Sequence, residues 1–284
     1  MTVLDRRMDR RNAVLEYSSY VTRGQCRLLV DQSHPFFFDH PLDHVPGLLL
    51  LEAAVQAAQD RAEFPCFVGA VRAKFHKYAY FDAPIWVEVS HRAEGTQLCC
   101  NVKILQGNHL RAEIQVDLRP ETALQPAASP APLQPPPPTR ASACPGDLLN
   151  KLRPENVLID RPQTGTDNIR AHLLPMDRDC LFGDGFGAVP PLYLLEAFMQ
   201  VQRYLNATQD GDQRIRDILT GVSIDLSRPL AQVQGVAIEG DKAFYPKGRS
   251  RMARRAKFSA AGQIFGQCEI ETARLCSRAT PAKT

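Results

Sequence analysis

The sequence predicts an α+β chain made of two copies of one unit, each a long interior helix wrapped by an antiparallel sheet. Three observations predict it. Residues 36–59, FFFDHPLDHVPGLLLLEAAVQAAQ, return 144 residues later as CLFGDGFGAVPPLYLLEAFMQVQR, with nine identities over 24 positions. A repeat of that length implies a duplicated structural unit. In each half the repeated segment is followed by about four runs of strand character. Between the halves, residues 120–146 carry nine prolines among Ala, Gln and Ser, a composition that contributes little to a core and behaves as a semi-extended linker. The expected organisation is therefore a unit at 1–119, a Pro-rich linker at 120–146, a second unit at 147–278 and a tail at 279–284. Each unit is long enough to bury its own core.

In the first unit Pro46 fits the opening turn of a helix, where its missing N–H costs nothing. Apolar residues then run almost unbroken over 48–58, and a helix apolar on nearly every side is an interior helix. After Pro65 the pattern changes to strands over 66–81, 83–94, 97–107 and 109–118, with Glu94-Gly95 and Gly107-Asn108 as turns. The second unit repeats the plan with a helix over about 190–206 and strands in 218–230, 234–246, 249–261 and 263–275.

Composition narrows the function classes. A net charge of +3 is too small to argue for nucleic acid. No segment has the apolar run of a signal peptide or a membrane span, so a cytoplasmic chain acting without a membrane is expected. The eight cysteines form no CxxC pair, which favours reduced, mostly buried thiols. No metal or other cofactor is expected.

Chemistry concentrates at the first copy of the repeat. His40 and His44 flank Asp43 and follow Asp39, but Pro41 between them disfavours a regular helix that would put both rings on one face for a metal. An acid, base or orienting role suits imidazole, which titrates near the operating pH. Asp43 or His44 could instead cap the following helix. His34 and His76 rank behind them. The exposed N–H groups of Gly47 and Leu48 at the helix start can stabilise an oxyanion, and Gly47 lets a thioester approach the backbone. Glu52, set in an apolar wall, is either a general base or acid whose pKa burial raises or a satisfied carboxylate that holds the preceding loop by hydrogen bonds. Each copy keeps the acid and a glutamine one turn later: Glu52 with Gln56, Glu196 with Gln200.

A buried helix enclosed by a curled antiparallel sheet, in tandem, is the plan of a double hotdog protein. The phrase FFDHPLDHVPG followed by LLEA resembles the signature of the A-factor biosynthesis hotdog family, the AfsA-like γ-butyrolactone synthases. The resemblance is dense over residues 34–56. A second likeness, to the hotdog dehydratases of fatty-acid synthesis, rests on Pro46, Gly47, Glu52, Ala53 and Gln56, although the dehydratase histidine lies two places further upstream than His40.

The first resemblance implies an acyltransferase. A β-ketoacyl group passes from an acyl carrier protein thioester, or from acyl-CoA, to a hydroxyl of a dihydroxyacetone-phosphate-like acceptor, on the way to a butyrolactone-type signal. A thioesterase, a dehydratase and a noncatalytic acyl-binding protein are the alternatives. The resemblance also implies sites shared between two units. One composite joins His40 and His44 to Glu196, and the other joins Glu52 to the altered loop, where the repeat sets Asp184 and Ala188 against the histidines and Pro191 against Gly47. One competent site per chain is expected, in a pseudo-dimer within one chain; further self-association is left open. Family members carry an arginine three residues after the glutamate, where this chain has Val55 and Met199. The basic stretch 246–258, with Lys247, Arg249, Arg251, Arg254, Arg255 and Lys257, either substitutes for it by docking phosphate, phosphopantetheine or an acidic carrier protein, or is one solvated strand face. Arg254 is its candidate substrate ligand, beside Asp39, Asp43, Gln56 and Gln200.

Overall fold

The computed structural model describes residues 3–17, 24–121, 138–209, 216–248 and 250–275. Most of the expected linker (122–137), Arg249, Cys276 and the tail lie outside the described residues. In chain order the elements are β1 (Leu15–Glu16), β2 (Gln25–Leu28), α1 (Gly47–Gln59), β3 (Cys66–Phe75), β4 (Ile85–Glu94), β5 (Gln97–Gln106), β6 (His109–Pro120), β7 (Gln163–Thr164), β8 (Asn168–His172), α2 (Pro191–Gln209), β9 (Arg216–Leu226), β10 (Val236–Asp241), β11 (Tyr245–Pro246), β12 (Arg251–Ala260) and β13 (Gln263–Leu275). No helix among the described residues is long and apolar enough to cross a membrane.

All of these strands pair antiparallel in one sheet, ordered β1-β2-β4-β5-β6-β3-β9-β13-β12-β10-β8-β7, with β11 paired to β12. The order divides at its middle: strands preceding α2 lie on one side of the β3–β9 pair, except β8 and β7, which follow β10 at the far edge. Helix α1 packs on β3, β4, β5 and β6, and α2 on β3, β9, β10 and β13. The Leu- and Ala-rich composition of α1 explains both its propensity and its burial: from Leu48 to Gln59 only Gln56 is not buried.

The join between the two sets of strands is pinned by charge. Arg119 donates to Asp225 Oδ2 at 3.1 Å and to the Leu226 carbonyl at 2.5 Å, and Arg72 bridges Asp117 at 2.6 Å and Asp225 at 3.3 Å. Gly69 sits in a bulge of β3, and a Cβ there would fall 2.3 Å from Arg119 Cδ. The glycine is therefore what lets Arg119 cross the bulge toward β9.

Helix and strand positions from the sequence are off by a few residues. Residues 76–81 leave the sheet as a loop after β3, the run 234–246 breaks after Asp241, and α2 spans Pro191–Gln209 rather than 190–206. Strands β1, β2, β7 and β8 had no counterpart in the pattern. Two matching 3-10 turns precede the helices, Arg10–Asn12 and Pro154–Asn156, again 144 residues apart. They set the segments that reach into the two helix sites.

Candidate active site

A cavity of about 430 Å³ lies between the halves. The loop before α1 contributes Asp39, His40 and His44, the helix start Gly47 and Leu48, the end of β3 Phe75 and the segment after it residues 76–79, α2 Glu196, Met199 and Arg203, and β9 residues 218–220; Lys151 completes the wall. A wider recess of about 920 Å³ shares Leu42, His44, Tyr78, Met199, Arg203, Ile218 and Leu219 with it and adds Asp43 and Asn150. The structure thus brings His40, His44, Asp39, Gly47, Leu48 and Glu196 to one place, with Asp43 at its mouth.

The two histidines are held differently. His44 Nδ1 lies 2.6 Å from Asp43 Oδ1, its ring is 4.2 Å from that of Tyr78, and Val45 N–H donates to the Ala79 carbonyl at 2.8 Å, tying the histidine loop to the tyrosine loop. In the neutral tautomer that donates Nδ1–H to the carboxylate, Nε2 is left as the acceptor. Asn150 Nδ2 is 3.2 Å from His40 Nε2, while His40 Nδ1 is buried without a hydrogen-bond partner among the described residues. Burial, and then the positive charges of Arg203 and Lys151, hold His40 below the ordinary histidine pKa, so it enters neutral pH as a neutral ring.

Pro46 gives α1 no side-chain cap. The expected capping by Asp43 or His44 is therefore absent: Asp43 is turned to His44 instead. The helical bonds begin with Leu49 and Leu50 donating to the Pro46 carbonyl, which leaves the Gly47 and Leu48 N–H groups without a partner among the described residues. A Cβ on Gly47 would sit 3.3 Å from Leu219 Cδ2 and 3.4 Å from the Phe75 ring, so any side chain there crowds the cavity wall.

Glu196 is fully enclosed, 1% exposed. Lys151 Nζ approaches its Oε1 at 3.0 Å and Arg203 Nη1 the same oxygen at 2.7 Å. Burial alone would raise its pKa, but the attraction and hydrogen bonds of Arg203 and Lys151 outweigh that and bring it down to about 2. It stays ionised and is a poor proton acceptor. Asp39, 5% exposed, accepts the amides of Leu152 and Arg153 at 3.0 and 3.1 Å and so fixes the segment that delivers Lys151.

Glu52 lies outside the cavity. Arg7 grips it through two nitrogens, at 2.9 and 2.7 Å, and also donates to the Phe182 carbonyl at 2.5 Å and to Asp184 at 3.3 Å. Of the two readings of Glu52, the contacts are those of a satisfied carboxylate, although its partner is Arg7 rather than the preceding loop. On Arg7, burial opposes the charge, but Glu52 and then Asp184 overcome it and raise its pKa. Gln56 and Gln200 also lie off the cavity and act as clamps. Gln56 accepts from Val14 N–H and donates to the Asn12 carbonyl, and Gln200 does the same with Leu158 and Asn156. Arg254 is buried beyond the cavity, 3.2 Å from Asn206 and 3.7 Å over the Phe244 ring. Of its neighbours in the basic stretch, Lys247 and Arg255 pair with Glu269 and Arg251 with Glu271. His34 Nε2 meets Asn12 at 3.0 Å, and His76 meets Glu113 at 3.0 Å.

The duplication runs further than the helix repeat. Arg7 and Lys151, Asn12 and Asn156, and Val14 and Leu158 are each 144 residues apart and make the same contacts to Glu52 or Glu196 and to Gln56 or Gln200. The loops slip by one residue. Asp184 accepts the amides of Met8 and Asp9 at 3.1 and 2.7 Å as Asp39 accepts those of Leu152 and Arg153. Asp184 is thus the counterpart of Asp39, and not of His40 as the ungapped repeat had it. At the centre the Phe36 and Phe182 rings stack 4.1 Å apart, Lys151 over one at 5.0 Å and Arg7 over the other at 4.3 Å. Arg7, Lys151 and Arg203 are the residues that sequence reasoning missed. Extending the 144-residue offset upstream of the helices would have found the first two.

Comparison with known proteins places the fold first. The chain shares the hotdog fold of an acyl-CoA thioesterase II from Mycobacterium marinum (13% identity, TM-score 0.56, covering 95% of this chain and 98% of that one). A hot dog fold protein from Alicyclobacillus acidocaldarius (12%, 0.60, 95% and 99%) and the dehydratase domain from the CurJ module of curacin polyketide synthase (11%, 0.57, 91% and 94%) are also similar. Residues 7–120 match the model of the A-factor biosynthesis hotdog domain family. Part of the chain is 47% identical over 64 residues to the 2-oxo-3-(phosphooxy)propyl 3-oxoalkanoate synthase of Streptomyces virginiae, covering 22% of this chain and 21% of that one. The enzyme of the same name from Streptomyces coelicolor is 51% identical over 69 residues, 23% and 21% of the two chains. The matched stretch thus spans about a fifth of the length of these relatives.

Proposed function

We propose that the chain is a tandem double hotdog acyltransferase, in which the Pro-rich segment links two units and one cavity between them is the active site. In this reading a β-ketoacyl group moves from an acyl carrier protein or CoA thioester to a hydroxyl of a dihydroxyacetone-phosphate-like acceptor, giving the ester that leads to a butyrolactone-type signal. The names of the partial relatives supply the acyl and phosphooxy groups. The observation that carries the reading is the meeting of two histidines, two uncapped helix amides and a doubly paired glutamate in one cavity.

The division of labour follows from that geometry. His44 Nε2, with Asp43 holding the other side of the ring, accepts the proton of the acceptor hydroxyl as its oxygen attacks the thioester carbon. Gly47 and Leu48 N–H groups hold the oxyanion of the tetrahedral intermediate. As the carbon–sulfur bond breaks, the imidazolium returns its proton to the departing thiolate, and the ester and free thiol leave. His40, four residues earlier in the same loop, stays neutral. Glu196 works as a fixed charge that orders Lys151 and Arg203.

Gly47→Pro tests the oxyanion role. The second half carries Pro190-Pro191 at the same place, and proline suits a first helical position, so the helix start accepts the change; Gly47→Ala, which adds the same crowding Cβ but keeps the N–H, is the control for bulk. Thioester binding is expected to persist and ester formation to fall about 10²–10³-fold; intact turnover sinks the assignment. Because thioesterase and dehydratase structures share this fold, product mass with and without phosphorylated triose separates transfer from hydrolysis and dehydration. Thioester binding with no product of any kind leaves an acyl-binding protein.

A further inference from the structure

The two glutamates have unequal company. Glu52 is neutralised by one cation, Arg7, with the side chains 2% and 5% exposed. Lys151 gives Glu196 the equivalent partner, with the same 5% and 2%. Arg203 has no counterpart in the first half, where the position 144 residues earlier is Gln59, whose amide donates to Asp5 at 3.0 Å. Arg203 is thus a second cation on a carboxylate that one cation suffices to balance.

Its geometry fits a part-time partner. A guanidinium carries five N–H donors, and Arg203 lends a single nitrogen to Glu196 Oε1, the oxygen that Lys151 and Gln200 already approach at 3.0 and 3.3 Å. Its side chain is 28% exposed and lines both the inner cavity and the outer recess. Around the inner cavity Lys77, Lys151 and Arg203 face Asp39 and Glu196, and Asp39 is already engaged by two backbone amides. Among these lysine, arginine and carboxylate side chains the cavity wall carries one excess positive charge.

We infer that Arg203 is the specificity residue of this site: it turns the free side of its guanidinium to the anionic group of the second substrate, while Lys151 alone keeps Glu196 balanced. This rests on the cavity being the substrate site. The fork geometry of arginine matches a phosphate monoester or a carboxylate through two parallel hydrogen bonds. A neutral polyol of the same size would gain nothing from it.

Calorimetric titration of the full chain with inorganic phosphate, malonate and dihydroxyacetone, in wild type, Arg203→Gln and Arg203→Lys, tests the assignment without turnover. Affinity for the better of the two anions is expected to fall tenfold or more in Arg203→Gln and by less in Arg203→Lys. Dihydroxyacetone binding and the melting temperature should stay near wild type, because Lys151 remains. Preference between phosphate and malonate identifies the anion class. A lower melting temperature with unchanged anion affinity in Arg203→Gln overturns the inference and makes Arg203 a structural partner of Glu196. If anion binding depends on Arg203 but no ester ever forms, the transferase reading fails while this one stands.

Discussion

The two helix sites of this molecule start from the same plan and end in opposite states. Around Glu196 the histidine loop, an uncapped helix start and two cations surround open space. Around Glu52 one arginine fills the corresponding place, reaching the carboxylate, the Phe182 carbonyl and Asp184 together, and its loop has lost both imidazoles. The same buried acid is therefore a fixed electrostatic post in one half and a structural clamp in the other. What separates them is the partner: a lysine that leaves room for a second cation, or an arginine that takes both carboxylate oxygens. A buried acid in a duplicated fold is thus a weak guide to catalysis until its counter-ions are known.

That contrast can be broken most forcefully at Arg7. Arg7→Ala leaves Glu52 and Asp184 facing each other across a buried gap, and the loss is expected to be about 3–5 kcal/mol in urea unfolding, as for other broken buried pairs. Lys151→Ala should cost about half as much or less, because Arg203 still meets Glu196; equal losses would show that the two sites are electrostatically alike. Asp43→Asn should lower turnover about tenfold with little change in stability, since its carboxylate is 91% exposed and acts through the His44 ring. A stability loss without a rate change would make it a loop residue only.

The remaining tests are in pH. His40 has a folded pKa below its unfolded value of about 6.5, so the unfolded chain takes up this proton first. Stability should therefore decline as pH falls from about 6.5 toward the folded pKa. Arg203→Gln removes one of the charges that depress it, and NMR titration of the His40 ring should show its pKa rising; no movement would place Arg203 away from His40. Glu196 has the usual carboxylate sign. Its pKa of about 2 against the ordinary glutamate value of 4.5 means stability that is complete above about 4.5 and lost as pH falls toward 2.

Much of the fold was legible because apolar periodicity is a local signal. The interior helix over 48–58 and the long strands β3, β4, β5, β6, β12 and β13 follow from it, whereas β2 and β8 are four- and five-residue strands too short to show a period. The loop residues His40, His44 and Asp39 were also legible, since histidine and acid beside a glycine helix start are unusual together. Arg7 was not. It sits in RRMDRR, which reads as a solvated charge run, and only its pairing with an acid 45 residues away shows that it is buried. Lys151, in LLNKLRPEN, showed its burial only once it was paired with Glu196, also 45 residues away. The slip that sets Asp184 opposite Asp39 could not be seen without the amide contacts of Met8 and Asp9. Arg203 fell at the end of the aligned repeat, where its face of the helix becomes clear only once Glu196 is placed.

The central claim is that one site per chain is competent and that it is the one at His44. Ester formation from an acyl carrier thioester and dihydroxyacetone phosphate, read by product mass, tests it directly in two variants: His44→Gln, and the double substitution Arg7→Met with Glu52→Leu, which replaces a buried ion pair by apolar groups that such cores often tolerate. The account predicts a loss of about 10²–10⁴-fold in the first and near wild-type ester yield in the second. Retained synthesis in His44→Gln, with loss in a folded Arg7→Met, Glu52→Leu variant, would contradict it and move the chemistry to the other half.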